Sequence, residues 1–268
     1  MSELELRQIE LLGETREVYC VGREPGRPAI VVMHEVPGLH PGVIDFARRL
    51  EAAGFHAYMP SLLGEPLRPV TTGYSLRSMA RACVAREFTT WATKKTSPIV
   101  AWLRALARLA HDECGGPGVG AIGMCLTGGF ALAMMVDDVV VAPVLSQPSL
   151  PFGLLPAQQR DLGIDDATLA AIKERCASDA IRHPALLGLR FTRDRLVPPE
   201  RFERLRAELG DDFLAVEIDS SPGNPHGIPR SAHSVLTHHF VDRPGHPTRD
   251  ALDQVLAFFR DRLYPAAT

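Results

Sequence analysis

No two cysteines in this chain stand at C-x-x-C spacing, and the five present, Cys20, Cys83, Cys114, Cys125 and Cys176, are odd in number and far apart. That distribution excludes a disulfide framework and a zinc ribbon. No H-E-x-x-H or comparable histidine spacing occurs either, so no metal is expected. Blocks of lysine and arginine are missing and the formal net charge is only -3, which favours neither nucleic acid nor a membrane as partner. Long apolar runs are also absent. FALAMMV stops at Asp137 and Asp138, and the N-terminal MSELELRQIE is charged and alternating rather than a signal segment. A soluble, cytoplasmic protein without internal repeats or a dividing linker is expected.

What is present is 46% hydrophobic residues in a chain of 268, enough for a large core within one domain spanning residues 1–268. Strand-like runs alternate with helical patterns. PAIVVMHE precedes a helix near 42–53, FHAYMP a longer helical stretch near 74–110, and VGAIGM the helical LTGGFALAMMV. DVVVAPVLS, ALLGLRFT and FLAVEID continue as strands, with helices near 165–177, 198–209 and 248–262. This alternation predicts an α/β fold: a mostly parallel central sheet with helices on both faces. LRQIELLG and REVYCVG read as an antiparallel hairpin at one edge. The proline-rich APVLSQPSLPFGLLP separates two strands by more than a simple crossover requires, and predicts a cap segment near 145–180. SSPGNPHGIPRSAH is a long turn-rich loop of the kind that carries function.

Within VGAIGMCLTGG, Gly118 to Gly123 spell G-x-G-x-x-G, but a helical segment precedes them and the glycines fall inside the strand. A dinucleotide site needs the reverse context. The other cysteines read as small core residues. Cys125 stands where a strand ends and a helix begins, between Gly123 and Gly128-Gly129. Small neighbours permit a tight turn that lifts the side chain above the sheet, the arrangement of a nucleophile elbow, with the Leu126 N–H aimed at a developing oxyanion. A helix N-terminus there also favours a thiolate.

A nucleophilic cysteine needs a base and an orienting acid. Asp194, at the end of PALLGLRFTRD, lies at the same sheet edge as Cys125, with Asp219 after FLAVEI in reserve. Five histidines, His226, His233, His238, His239 and His246, lie between the last strand and the final helix. His233 is chosen because it has small neighbours and follows the long loop.

These residues resemble the dienelactone hydrolase family of α/β-hydrolases, in which a Cys-Asp-His set works from a G-x-C-x-G-G elbow, here GMCLTGG. The resemblance continues through IVVMHEVPGLHPGVIDFARRLEAAGFHAYMP, DRLVP and AHS, from about residue 28 onward. It implies the α/β-hydrolase fold. It also implies a role for Glu35 as the glutamate that meets the resting cysteine and helps form the thiolate, and for Val36 as the second oxyanion N–H donor beside Leu126. Two departures stand out. Thr127 occupies a position where the family has glycine, and the family's carboxylate-binding arginine after the catalytic histidine is replaced by Ser234-Val-Leu-Thr-His. Arg81 and Arg86 are the remaining candidates for holding a substrate carboxylate.

The sequence therefore predicts a hydrolase of small ester, thioester or lactone substrates, with Cys125, His233, Asp194 and Glu35 in catalysis, Val36 and Leu126 in the oxyanion hole, and no metal or organic cofactor. Without an arginine after His233, neutral substrates are expected to serve at least as well as acids. The alternative is a non-catalytic binding protein that keeps the fold and uses its pocket for a small ligand.

Overall fold

The alternating strands and helices assemble into one eight-stranded sheet in the order β1-β2-β4-β3-β5-β6-β7-β8. The computed structural model describes residues 2–22, 24–75, 77–78, 97–150, 158–178 and 181–264. Arg81, Arg86 and Cys83 lie outside the described residues, as do 151–157 and 179–180 of the expected cap.

Strands β1 (Glu5–Leu11) and β2 (Glu14–Val21) form the predicted edge hairpin, with Leu12 and Gly13 both at positive φ in its two-residue turn. Such a turn matches the twist of the strands it joins. Strand β2 pairs antiparallel with β4 (His56–Pro60). All other pairings, through β3 (Ala29–Met33), β5 (Val119–Met124), β6 (Val140–Ser146), β7 (Leu186–Phe191) and β8 (Phe213–Ile218), are parallel. Strands β3, β5 and β7 are buried along their whole length, as apolar runs covered on both faces must be.

Two helices cover one face. Phe46 and Leu50 of α1 (Pro41–Ala52) share a core with Val255 and Phe259 of the C-terminal helix (Pro247–Leu263). The opposite face is covered by α2 (Pro98–Cys114), α3 (Gly128–Met134), α4 (Asp166–Cys176) and α5 (Pro199–Leu209), through residues such as Trp102, Phe130, Ile172 and Phe202. The C-terminal helix is α6. Of the helical stretch expected near 74–110, residues 76 and 79–96 lie outside the described residues, and its continuity is corrected at Ser97, which is extended (φ -80°, ψ 132°) ahead of α2 at Pro98. A residue before proline is pushed out of the helical region, while proline itself suits the first helical turn.

The chain leaves β3 for one side of the sheet and β5 for the other, so the crevice at their carboxyl ends is the topological switch point where such sheets bind ligands. Above it the connection from β6 to α4 is tied down by one buried guanidinium from α5. Arg201 donates to the carbonyls of Pro148 (2.8 Å), Asp161 (2.7 Å), Gln158 (3.3 Å) and Leu196 (3.3 Å). Replacing it by methionine keeps the volume and strands these carbonyls, so Arg201→Met is expected to lower stability by about 2–4 kcal/mol, measured by urea unfolding. A loss under about 0.5 kcal/mol, the range of ordinary surface substitutions, would show that the connection holds without it.

Candidate active site

Strand β5 ends in a turn that forces Cys125 to φ +57°, a conformation that costs a non-glycine residue roughly 1–3 kcal/mol. Gly123 makes the turn sterically feasible, because a Cβ there would lie 2.1 Å from the Thr127 carbonyl oxygen. Thr127 itself closes the turn. Its buried hydroxyl accepts the Met124 N–H at 2.9 Å and lies 2.9 Å from the Met33 carbonyl, so it joins the ends of β5 and β3. The departure from glycine is thus occupied by a side chain with a specific partner. The Cys125 thiol is buried, with Sγ 3.1 Å from the Ser149 hydroxyl, and the Ser149 N–H donates to the Cys125 carbonyl at 3.0 Å.

Asp194 stands in the turn after β7. Its Oδ1 accepts the Leu196 N–H at 2.9 Å and its Oδ2 accepts Nδ1–H of His233 at 2.6 Å. That bond directs Nε2 away from the carboxylate, and Nε2 is buried without a hydrogen-bond partner among the described residues. Burial works against the imidazolium, but the proximity of Cys125 and the hydrogen bond to Asp194 outweigh it and raise His233 well above the usual histidine range.

The other histidines have different work. His246 accepts from the Thr248 N–H at the start of α6 and meets His226 edge-on at 5.5 Å. His239 accepts from the Ser234 N–H at 3.3 Å, beneath the His233 backbone, and His238 packs edge-on against it. Asp219 is exposed and accepts the Ser221 N–H at 2.8 Å.

Glu35 has a setting unlike the one the resemblance implies. Its buried carboxylate receives Nε2–H of His40 (3.1 Å), the amide of Gln147 (3.1 Å) and the hydroxyls of Ser234 (2.6 Å) and Thr237. The His40 tautomer follows from its other nitrogen, which accepts the Gly42 N–H at the N-terminus of α1. Burial alone would raise the Glu35 carboxyl; His40 and the two hydroxyls overcome it and hold the group at about 2. A carboxylate so well satisfied is a poor acceptor for a thiol proton, and among the described residues its hydrogen bonds run to His40, Gln147, Ser234 and Thr237. Gln147, Ser149, Ser234 and Thr237 were not singled out as site residues, and Ser-x-x-Thr after His233 was the available local signal.

His34, next in the chain, is held neutral. Its Nε2 accepts the Leu62 N–H at 2.9 Å, and burial lowers it to about 4. No turn or loop carbonyl among the described residues accepts from the Val36 or Leu126 N–H. Among the described residues no cluster of three histidine, cysteine or acidic side chains is arranged to hold a metal ion, and no helix is long and apolar enough to cross a membrane.

The fold recurs in solved structures. A Klebsiella pneumoniae protein assigned as a dienelactone hydrolase aligns over 96% of this chain and 98% of its own, at 17% identity and a TM-score of 0.65. A dienelactone hydrolase-like promiscuous phosphotriesterase from metagenomic libraries aligns over 98% and 100%, at 19% identity and 0.60. A cold-adapted esterase from an Arctic intertidal metagenomic library aligns over 96% and 93%, at 14% identity and 0.60. These likenesses establish an α/β-hydrolase fold. No curated protein sequence matches the chain. The sequence itself matches the dienelactone hydrolase family over residues 17–263, and a match of that extent means that the chain belongs to this family of hydrolases.

Proposed function

We propose that the protein hydrolyses ester, thioester or lactone bonds by acyl transfer to Cys125. The observation that carries this reading is the 2.6 Å bond from His233 Nδ1 to Asp194, which turns a buried, unpartnered Nε2 toward the elbow cysteine. In the first step His233 Nε2 takes the thiol proton, the Cys125 sulfur bonds to the carbonyl carbon and the carbonyl electron pair moves onto oxygen. The Val36 and Leu126 N–H groups receive that oxyanion. Collapse breaks the bond to the leaving oxygen or sulfur, which takes the proton from His233 Nε2. Water, deprotonated by His233, then attacks the thioester, and release of the carboxylic acid restores Cys125. Asp194 keeps the imidazole in the required tautomer. Glu35 works through others: by binding Ser234 and Thr237 it positions the segment that carries His233.

The test is hydrolysis of p-nitrophenyl acetate by variants of normal thermal stability. Cys125→Ala and His233→Ala are expected to abolish turnover and His226→Ala to leave most of it, while Asp194→Asn lowers the rate by about 10²–10⁴ through misorientation of the imidazole. Activity surviving in Cys125→Ala would overturn the reading. Brief iodoacetamide treatment should label Cys125 ahead of Cys20 and Cys176, whose thiols burial pushes up to about 12 and about 11. Peptide mass spectrometry reads the order, and faster labelling elsewhere with no loss of turnover removes the nucleophile assignment.

Glu35 leads to a pH prediction. Its folded value lies below the ordinary 4.5, so its ionisation stabilises the fold fully above pH 4.5 and the contribution is lost as pH falls toward 2. The difference corresponds to about 3 kcal/mol. Glu35→Gln should flatten the stability profile in that window, and a slope equal to wild type would show that the network does not depend on the charge.

A further inference from the structure

Three arginines border the Asp194–His233 pair: Arg193 and Arg195 on either side of Asp194, and Arg230 three residues before His233. Together with the pair they line an open cavity of about 390 Å³. All three are exposed, and none of the guanidiniums has a hydrogen bond or ion pair among the described residues. The nearby carboxylates do not neutralise them. Asp194 is committed to His233 and the Leu196 N–H, and Asp219 accepts from Ser221 and feels Arg193 only at longer range. In a protein of net charge -3, three unpaired cations around one opening are a local excess against the overall sign. We propose that this cavity binds a phosphate carried by the leaving group of the substrate, an assignment that rests on the acyl-transfer reading above.

Two arguments select that chemistry. The first is valence. Each guanidinium presents donors in a planar fork. A carboxylate has two oxygens and one charge, whereas a phosphate monoester has three terminal oxygens and a charge of about -1.5 to -2 at neutral pH, enough to engage several forks at once. The second is position. His233 lines the cavity and Cys125 does not. In acyl transfer the acyl group stays on the cysteine and the leaving group departs by way of the histidine proton, so a ligand on the His233 side belongs to the alcohol or thiol portion. The turn after β7 and the loop before His233 thus supply cations although none follows His233.

The experiment compares three phenyl acetates whose 4-substituent is a phosphate, a carboxylate or a neutral carboxamide, in wild type and in Arg193→Ala, Arg195→Ala, Arg230→Ala and the triple variant. The side chains are exposed, and thermal unfolding checks that each variant is folded. In wild type kcat/KM for the phosphate ester should exceed that for the carboxamide at least about tenfold, shrinking as salt rises. The ratio should fall several-fold in each single variant and approach one in the triple. Calorimetric titration with phenyl phosphate reads binding without turnover. Arginine-dependent binding with no ester hydrolysed would leave the cavity assignment standing and remove the acyl-transfer reading. Hydrolysis of the carboxamide with neither a phosphate preference nor phenyl phosphate binding would overturn the cavity assignment and leave acyl transfer intact. An equal, arginine-dependent gain for the carboxylate ester would overturn the choice of phosphate.

Discussion

One buried negative charge organises the top of the sheet. A carboxylate removed from water is tolerable only when hydrogen bonds replace its hydration, and Glu35 collects four donors from three separate segments: the N-terminus of α1, the end of β6, and two points in the loop before α6. Two of these donors are also committed elsewhere. His40 caps α1, and Gln147 accepts from the Val235 N–H at 3.3 Å. Satisfying the one charge therefore requires the ends of β3 and β6 and the His233 loop to meet in one arrangement. Removing a single donor would leave a buried charge short of partners, which is why these segments act as a unit.

The elbow and the base are held by independent means. Thr127 ties the Cys125 turn to β3, and Ser149 ties it to the segment after β6. Asp194 holds the imidazole from β7, while the Glu35 network holds its backbone through Ser234. Backbone strain at Cys125 and at Gln147, where φ is +37°, falls at the carboxyl ends of neighbouring strands. Both strained residues are over-determined by their hydrogen bonds, the condition under which such conformations persist.

Much of this was legible in the sequence because it is periodic or local. The parallel strands are apolar runs, the hairpin alternates, and the elbow is marked by glycines on both sides of one cysteine. The placement of Asp194 and His233 near each other could be read from chain order at the sheet edge. What escaped notice depends on contacts that local patterns do not encode. Gln147, Ser234 and Thr237 reach Glu35 across 112, 199 and 202 residues, so nothing near any of them announces the contact. The donors that surround the Glu35 carboxylate are therefore visible only in the folded chain. The arginines beside Asp194 and before His233 were visible as letters, but only the folded loops bring them to one opening.

The tether at Arg201 has a different kind of consequence. All four of its partners are main-chain carbonyls, at Pro148, Gln158, Asp161 and Leu196. A main-chain oxygen is present whatever side chain a residue carries, so the anchorage places little demand on the identity of most of the residues it holds. Side-chain changes at the half-buried tether points Gln158, Asp161 and Leu196 therefore leave the anchoring oxygens in place. One arginine side chain thus lets the sequence of the stretch above the crevice vary while the geometry beneath it stays the same.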